Sequence, residues 1–301
     1  MHKKRTLLLY ITMILIGQIT HCFAVDDTRF LSNTPKEIYG KATQNIGIRI
    51  GNGGAGPTGI LRALAEDYIQ QTHAKFAIAW YQDISPNTLK QLQLGTIDIA
   101  LVYEKAQGEK AQKDGWATHY TPIFNDHFIL VGPKTNPAYI TQEDTPTTAF
   151  QKISHLENTT SHTLFLSRDD QSGTNIKEQK LWLQINQQPW VSKNTWYYKY
   201  HAFPKDALIE SDKKSLYTIT DRGTWLSNEK ALQTLQVYTQ SGEELLNPCF
   251  ALLGTAPSKN TLDFLTYLKS ERAQTLITNF GKDKFNGHAL FTKASQAEFK
   301  K

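Results

Sequence analysis

The chain is poor in the residues that build cross-links and reactive centres. Of its 301 residues only two are cysteines, Cys22 and Cys249. Cys22 falls in an N-terminal segment that reads as a cleaved signal. The Cys249 that remains can form neither an internal disulfide nor a cysteine metal site. Nine histidines, among them His119, His127, His155, His162 and His201, are scattered without ligand spacing. No Gly-x-Ser-x-Gly elbow is present, and carboxylate pairs such as Glu243-Glu244 sit in polar, turn-like surroundings. The sequence therefore assigns no catalytic residue, no metal ligand and no cofactor. Charge of one sign is scarce as well: the formal net charge is +5, and without Lys3, Lys4 and Arg5 it falls to +2. A nucleic-acid partner thereby loses its main support. Past the N-terminus no apolar run approaches the roughly 20 residues of a membrane span, and repeats and low-complexity tracts are missing.

What is present begins with an address. His2-Lys3-Lys4-Arg5 is a basic n-region, Thr6 to about Thr20 an apolar h-region, and Cys22-Phe23-Ala24 puts small residues at the −3 and −1 positions of a cleavage site. A lipoprotein reading through Cys22 is weaker, because Ile19-Thr20-His21 lacks the small apolar residues that lipidation wants. The spacing predicts a signal peptide over residues 1–24 and a soluble, periplasmic or secreted mature chain from Val25. Residues 25–45 are polar and unpatterned and read as a mobile leader. About 277 residues remain after cleavage, enough for two lobes with a core each.

Strands and helices alternate along the mature chain. Ile46 to Ile50 alternates like a strand, a glycine-rich turn runs from Gly51 to Gly59, and Ile60 to about Gln71 is an amphipathic helix. Phe76–Trp80 reads as a second strand, Pro86–Leu94 as a helix and Ile97–Val102 as a third strand. Such units make a parallel sheet with ligands beyond the carboxyl ends of its strands. Phe128–Val131 looks like a crossing strand, Cys249–Leu253 like a return strand, and Leu262–Phe280 like one long amphipathic helix. The expected fold is α/β, with lobe 1 over residues 46–131 and 246–301, lobe 2 over 132–245, two crossings, and a ligand cleft between the lobes.

Ser167-Arg168-Asp169-Asp170-Gln171-Ser172-Gly173-Thr174 stands between a short strand over Thr163–Leu166 and a helix from Asn175 to Ile185. That helix shows Ile176, Gln179 and Leu183, with Trp182, at helical spacing. Ser172, Gly173 and Thr174 at a helix start offer hydroxyls and unpaired N–H groups, glycine admits an anion close to the backbone, and Arg168 adds a planar fork of donors. The alternative is an Asp/Ser cap beside a surface arginine. In the glycine turn, Gly51-x-Gly53-x-x-Gly56 fits a dinucleotide spacing, with Asp83 as the acid after the second strand; an exported chain disfavours that reading. Thr58 is the turn's hydroxyl donor in the anion reading, and a purely structural turn is the alternative. Ser85 reads either as an N-cap with Pro86 at the first helical position or as a further hydroxyl donor. Tyr217 to Thr224 ends a strand and opens a short helix at Thr220 or Asp221; Tyr217 or Arg222 either closes the cleft or has no part in it. Asp169 and Glu104 are the acids nearest the site in sequence.

Four segments carry a family resemblance: Ile97 to Glu104, Phe124-Asn125-Asp126-His127-Phe128-Ile129-Leu130-Val131-Gly132-Pro133, Ser167 to Thr174, and Tyr217-Thr218-Ile219-Thr220-Asp221-Arg222-Gly223-Thr224. In this order, over about residues 46–292, the chain resembles the tungstate-binding proteins of ABC importers within the wider class of periplasmic oxyanion receptors. The resemblance implies a type II periplasmic-binding-protein fold that closes on its anion, with a membrane permease and an ATPase as partners and the receptor itself a monomer. It carries over Arg168, Ser172, Gly173 and Thr174, Thr58 from the turn, and Ser85 by approximate alignment. The turn departs from the family's threonine/serine-rich pattern and looks more like that of phosphate-binding relatives. The expected function is capture of tungstate or molybdate for an importer, without chemistry. Phosphate binding and ligand sensing on the same fold are the alternatives; an exported hydrolase would need a nucleophile–base pair that is not visible.

Overall fold

The computed structural model describes residues 31–294, apart from residues 42, 104, 157–163, 192–193 and 241. The signal segment, Val25, Glu104, His162 and Thr163 lie outside the described residues. In chain order the elements are β1 (Glu37–Tyr39), β2 (Ile46–Asn52), α1 (Ile60–Thr72), β3 (Ala77–Gln82), α2 (Ser85–Gln93), β4 (Ile99–Val102), α3 (Lys105–Lys113) and β5 (Ala117–Pro133). Then come α4 (Pro146–His155), β6 (Phe165–Ser167), α5 (Gly173–Gln184), β7 (Tyr197–Lys199), α6 (Pro204–Lys214), β8 (Thr218–Asp221), α7 (Arg222–Asn228) and β9 (Leu235–Thr239). β10 (Leu246–Gly254), α8 (Lys259–Lys269), α9 (Glu271–Asn279) and β11 (Thr292–Lys293) complete the chain.

The first lobe is a sheet in the order β1-β3-β2-β4-β10-β5-β11. β2 pairs in parallel with β3 and β4 through the crossovers α1 and α2, as the alternating pattern requires. β10 returns antiparallel between β4 and β5. Ile48, Ile50, Ile60, Leu64, Trp80, Phe264 and Leu265 form its core. The second lobe is built on the far half of β5. Residues up to His127 pair with β10, whereas Phe128 to Pro133 pair with β8 and β9. One 17-residue strand thus belongs to both sheets, and its alternate side chains near residues 126–128 fall where the lobes meet. β6 and β7 pair in parallel beside β8. An aromatic cluster fills this lobe: Trp182 lies 4.4 Å from Phe150, 5.1 Å from Phe165 and 5.4 Å from Trp196, ring centre to ring centre.

Three expectations change. The polar segment read as a leader contributes β1, which pairs with β3 and buries Tyr39; Lys36 N donates to Trp80 O and Gln91 Nε2 to Ser32 O. Composition missed this because the edge of a sheet accepts a strand through backbone bonds whatever its polarity. The single C-terminal helix is two. Ser270 leaves the helical region at ψ 154°, and its hydroxyl caps α9 by accepting from Ala273 N. In α5 the buried side chains are Asn175, Glu178, Leu181 and Trp182, while Leu183 is 48% exposed. The inward face holds a polar network, so apolar periodicity alone indicated the wrong phase.

Candidate functional site

A cavity of about 40 Å³ lies at the carboxyl ends of the parallel strands. From the first lobe it is lined by Gly53 and Gly54 after β2, by Ile84 and Ser85 at the start of α2, and by Tyr103 after β4. Asp126 and Phe128 reach it from β5 and Asn247 from β10. The second lobe supplies Arg168, Ser172, Gly173 and Thr174, the start of α6 at Phe203 and Pro204, and Asp221 at the end of β8. This volume suits a few water-sized groups, on the scale of a small ion.

The Ser167–Thr174 loop is shaped by its own side chains. Ser172 is the N-cap of α5, its hydroxyl accepting from Asn175 N. Asp170 accepts from Ser172 N through Oδ1 and from Arg168 Nη2 at 2.5 Å through Oδ2. Asp169 and Gln171 adopt φ of 45° and 61°, a region side chains rarely enter. Gly173 N and Thr174 N, at the first two helical positions, have no intrahelical acceptor and carry the positive end of the dipole. A Cβ on Gly173 would stand 3.0 Å from Tyr103 Cβ, so glycine permits the close approach of helix start and first lobe.

Arg168 is 5% exposed. Nε donates to Ala202 O at 2.7 Å and Nη1 to Thr174 Oγ1 at 3.3 Å. Burial lowers its affinity for its proton, an effect that the carboxylates of Asp170 and Asp221 oppose. Beneath the loop, Glu178 is fully enclosed and accepts from Ser167 Oγ at 2.5 Å, Tyr197 OH at 2.6 Å, Trp182 Nε1 at 2.9 Å and Asn175 Nδ2 at 3.2 Å. Burial pushes its carboxyl up to about 7 against these four donors. The network fixes Ser167, and with it the origin of the Arg168 loop.

Of the residues singled out in the sequence, Ser85, Arg168, Ser172, Gly173 and Thr174 line one cavity, and Thr58 does not. The Thr58 hydroxyl donates to Ala55 O at 2.6 Å and accepts from Ile60 N at 3.3 Å, closing the turn ahead of α1. Its neighbours Gly53 and Gly54 face the cavity through backbone instead. Ser85 is not the cap of α2: Ile84 holds that position, and the Ser85 hydroxyl accepts from Tyr103 N at 3.4 Å. Asp169 turns away towards Lys199 and His201. Tyr217 is buried in the second core with its hydroxyl accepting from Ala138 N, and Arg222 lines a separate surface groove.

Sequence reading missed Asp126, Asp221, Asn247 and Phe203 as lining residues, although Asp126 and Asp221 lie inside the segments that carried the resemblance; Tyr103, at the end of the third strand, could be read either as facing the cleft or as part of a solvated loop, and it lines the cavity. Asp221 caps α7, accepting from Thr224 N at 2.7 Å and Thr224 Oγ1 at 2.6 Å. Asp126 accepts from His127 N at 2.7 Å. Burial, and the charge of Asp221, push the Asp126 carboxyl well above the ordinary carboxylate range; Asp221 is raised as well, by burial first. The only signal for this pair was its position at the point where β5 passes between sheets, which no local pattern encodes.

Residues 40–282 match the model of the PBP superfamily domain. The tungstate-binding protein TupA of Peptoclostridium acidaminophilum is 30% identical over 247 residues, covering 78% of this chain and 81% of that one. Among solved structures, a periplasmic protein with a provisional metal-binding designation is 32% identical, with a TM-score of 0.78 over 86% of this chain and 99% of its own. The tungstate-binding protein TupA of Desulfovibrio alaskensis G20 is 25% identical, with a TM-score of 0.70 over 83% and 99%.

Proposed function

The chain belongs to the PBP superfamily-domain family, with tungstate-binding proteins among its homologues, and from that premise we propose that it captures a tetrahedral oxyanion and delivers it to an ABC importer. Tungstate and molybdate are the ligands the reading favours, in the periplasm or outside the cell, with a permease and an ATPase as membrane partners. The observation that carries the proposal is the buried Arg168 guanidinium beside the N–H groups of Gly173 and Thr174, which have no intrahelical acceptor among the described residues, in a cavity of about 40 Å³. A fixed cation and a helix N-terminus in a small, largely buried space form an anion site by construction. The Ser85 and Thr174 hydroxyls add neutral donors from the two lobes. Binding then needs both lobes, and closure around the anion gives the importer a form to recognise. No bond is made or broken, so the protein is a receptor and not an enzyme.

Phosphate is the second reading, favoured by Asp126 and Asp221 in the cavity wall: an ionised carboxylate is what a protonated oxyanion requires. Calorimetric titration with tungstate, molybdate, phosphate and sulfate tests the reading. Tight binding of tungstate and molybdate is expected. Phosphate displacing tungstate at equal concentration would change the ligand, and silence towards all four would overturn the oxyanion reading.

A further inference from the structure

Two carboxyl groups in the wall of an anion site are a contradiction unless one of them is uncharged. The geometry decides which. Each Asp221 oxygen accepts a hydrogen bond at the start of α7, from Thr224 N and from Thr224 Oγ1, and Arg168 lies near enough to favour its charge. Asp126 accepts one backbone N–H, from His127, through Oδ1. Among the described residues its other oxygen takes no hydrogen bond, in a side chain only 4% exposed. Two ionised carboxylates cannot share such a space, and the one with fewer donors keeps the proton.

We propose that Asp126 meets the bound oxyanion as a neutral carboxylic acid whose hydroxyl donates to an anion oxygen, so that each anion is held together with one proton. The inference rests on the oxyanion reading above and assigns the residue that sets its specificity. With Oδ1 accepting from His127 N and the proton on Oδ2, Asp126 presents a donor to the anion, while both Asp221 oxygens already accept from Thr224. The hydroxyl of a protonated oxyanion such as hydrogen phosphate would meet a donor at Asp126 where it needs an acceptor, whereas tungstate and molybdate offer acceptors only. Ionising Asp126 would turn the donor into a repelling charge.

The other groups that face Asp126 are distinguished by their charge. Tyr103 after β4 and Cys249 on β10 are both pushed well above their ordinary values by burial. His127 on β5 itself is depressed to about 4, Asn247 on β10 does not ionise, and Arg222 on α7 and Arg168 before α5 keep their charge. Asp170 is ion-paired to Arg168, and the charge of Asp221 helps to hold the proton on Asp126.

Tungstate titrations of the full mature protein from about pH 7 to about pH 10 test this. Wild-type affinity should weaken towards about tenfold per pH unit as the acid ionises, with proton uptake approaching about one per anion, read from the dependence of the heat on buffer ionisation enthalpy. Asp126→Asn, whose amide keeps a donor but cannot ionise, should lose the slope. Wild-type binding that stays flat without proton uptake would overturn the inference alone, as would a slope that survives in Asp126→Asn. Loss of tungstate binding in a folded Asp126→Asn, or phosphate binding that needs the ionised Asp126, would also overturn it. No binding of any oxyanion by wild type would remove the underlying reading with it. The wild-type proton count stands even where the variant fails to fold.

Discussion

At Arg168 the guanidinium is already bound to Ala202 O, Thr174 Oγ1 and Asp170 before any anion arrives. Its charge is therefore preorganised, and little side-chain entropy remains to be lost on binding. Arg168→Ala should weaken oxyanion affinity by at least about 2 kcal/mol, because a charge-assisted partner in a buried site disappears. It should also lower folding stability by about 1–3 kcal/mol, since Asp170 and a carbonyl lose their donor. Arg168→Lys should recover part of the stability and less of the affinity, because an ammonium cannot reproduce the planar fork. Anion titration and urea unfolding of both variants separate the two effects. The identity of this residue and its place before a helix were plain in the sequence. Its partner Ala202 O was not, because that carbonyl lies 34 positions away.

The glycine-rich turn after β2 shows the same division for a whole element. The sequence announced a turn, and the open question was whether its glycines served an anion or the fold. Gly56 serves the fold: a Cβ there would stand 1.9 Å from Trp80 Cζ2, and the Trp80 indole donates to Asn52 O at 2.9 Å. Asn52 in turn holds the turn through Gly56 N and reaches Leu101 O in the neighbouring strand. Gly56→Ala should destabilise by about 1–3 kcal/mol through overpacking against a rigid ring, measured by denaturant unfolding without ligand. A cost below about 0.5 kcal/mol would show that the indole moves aside freely. Gly53 and Gly54, three residues earlier or fewer, present backbone to the cavity, so one turn does both jobs at different residues. In α5, likewise, a strong local signal predicted a helix and only the packing of Glu178 against Tyr197 and Trp182 revealed its inward face.

Over the whole molecule, stability should carry the mark of that enclosed acid. Glu178 sits at about 7 in the folded protein against an ordinary value near 4.5. A raised acid binds its proton more tightly folded than unfolded, so its contribution is complete below the ordinary value and is lost as pH climbs towards 7. The decline should reach roughly 3 kcal/mol between about pH 4.5 and about pH 7, and Glu178→Gln should flatten it. Urea midpoints at the two ends of that window for both proteins measure it; a wild type that gains stability relative to the variant as pH rises would contradict the sign. Because the network anchors Ser167, the same variant is expected to loosen the Arg168 loop.

The sequence by itself determined what depends on neighbours in the chain. The alternation of period two and period 3.6 gave β2, α1, β3, α2 and β4, and hence the parallel sheet. The Ser172 cap and Gly173 placed the start of α5, and the motif segments brought the two-lobed class and five of the six proposed site residues to one cavity. Tertiary structure decided everything that depends on distance across the chain. It turned the polar run at 37–39 into an edge strand, broke the last helix at Ser270, and used the Thr58 hydroxyl inside its own turn. It also brought Asp126 and Asp221 into one cavity wall, since β5 pairs with β10 up to His127 and with β8 from Phe128, the partner of Asp221. A carboxyl's charge depends on what surrounds it in space, and no spacing along the chain records that.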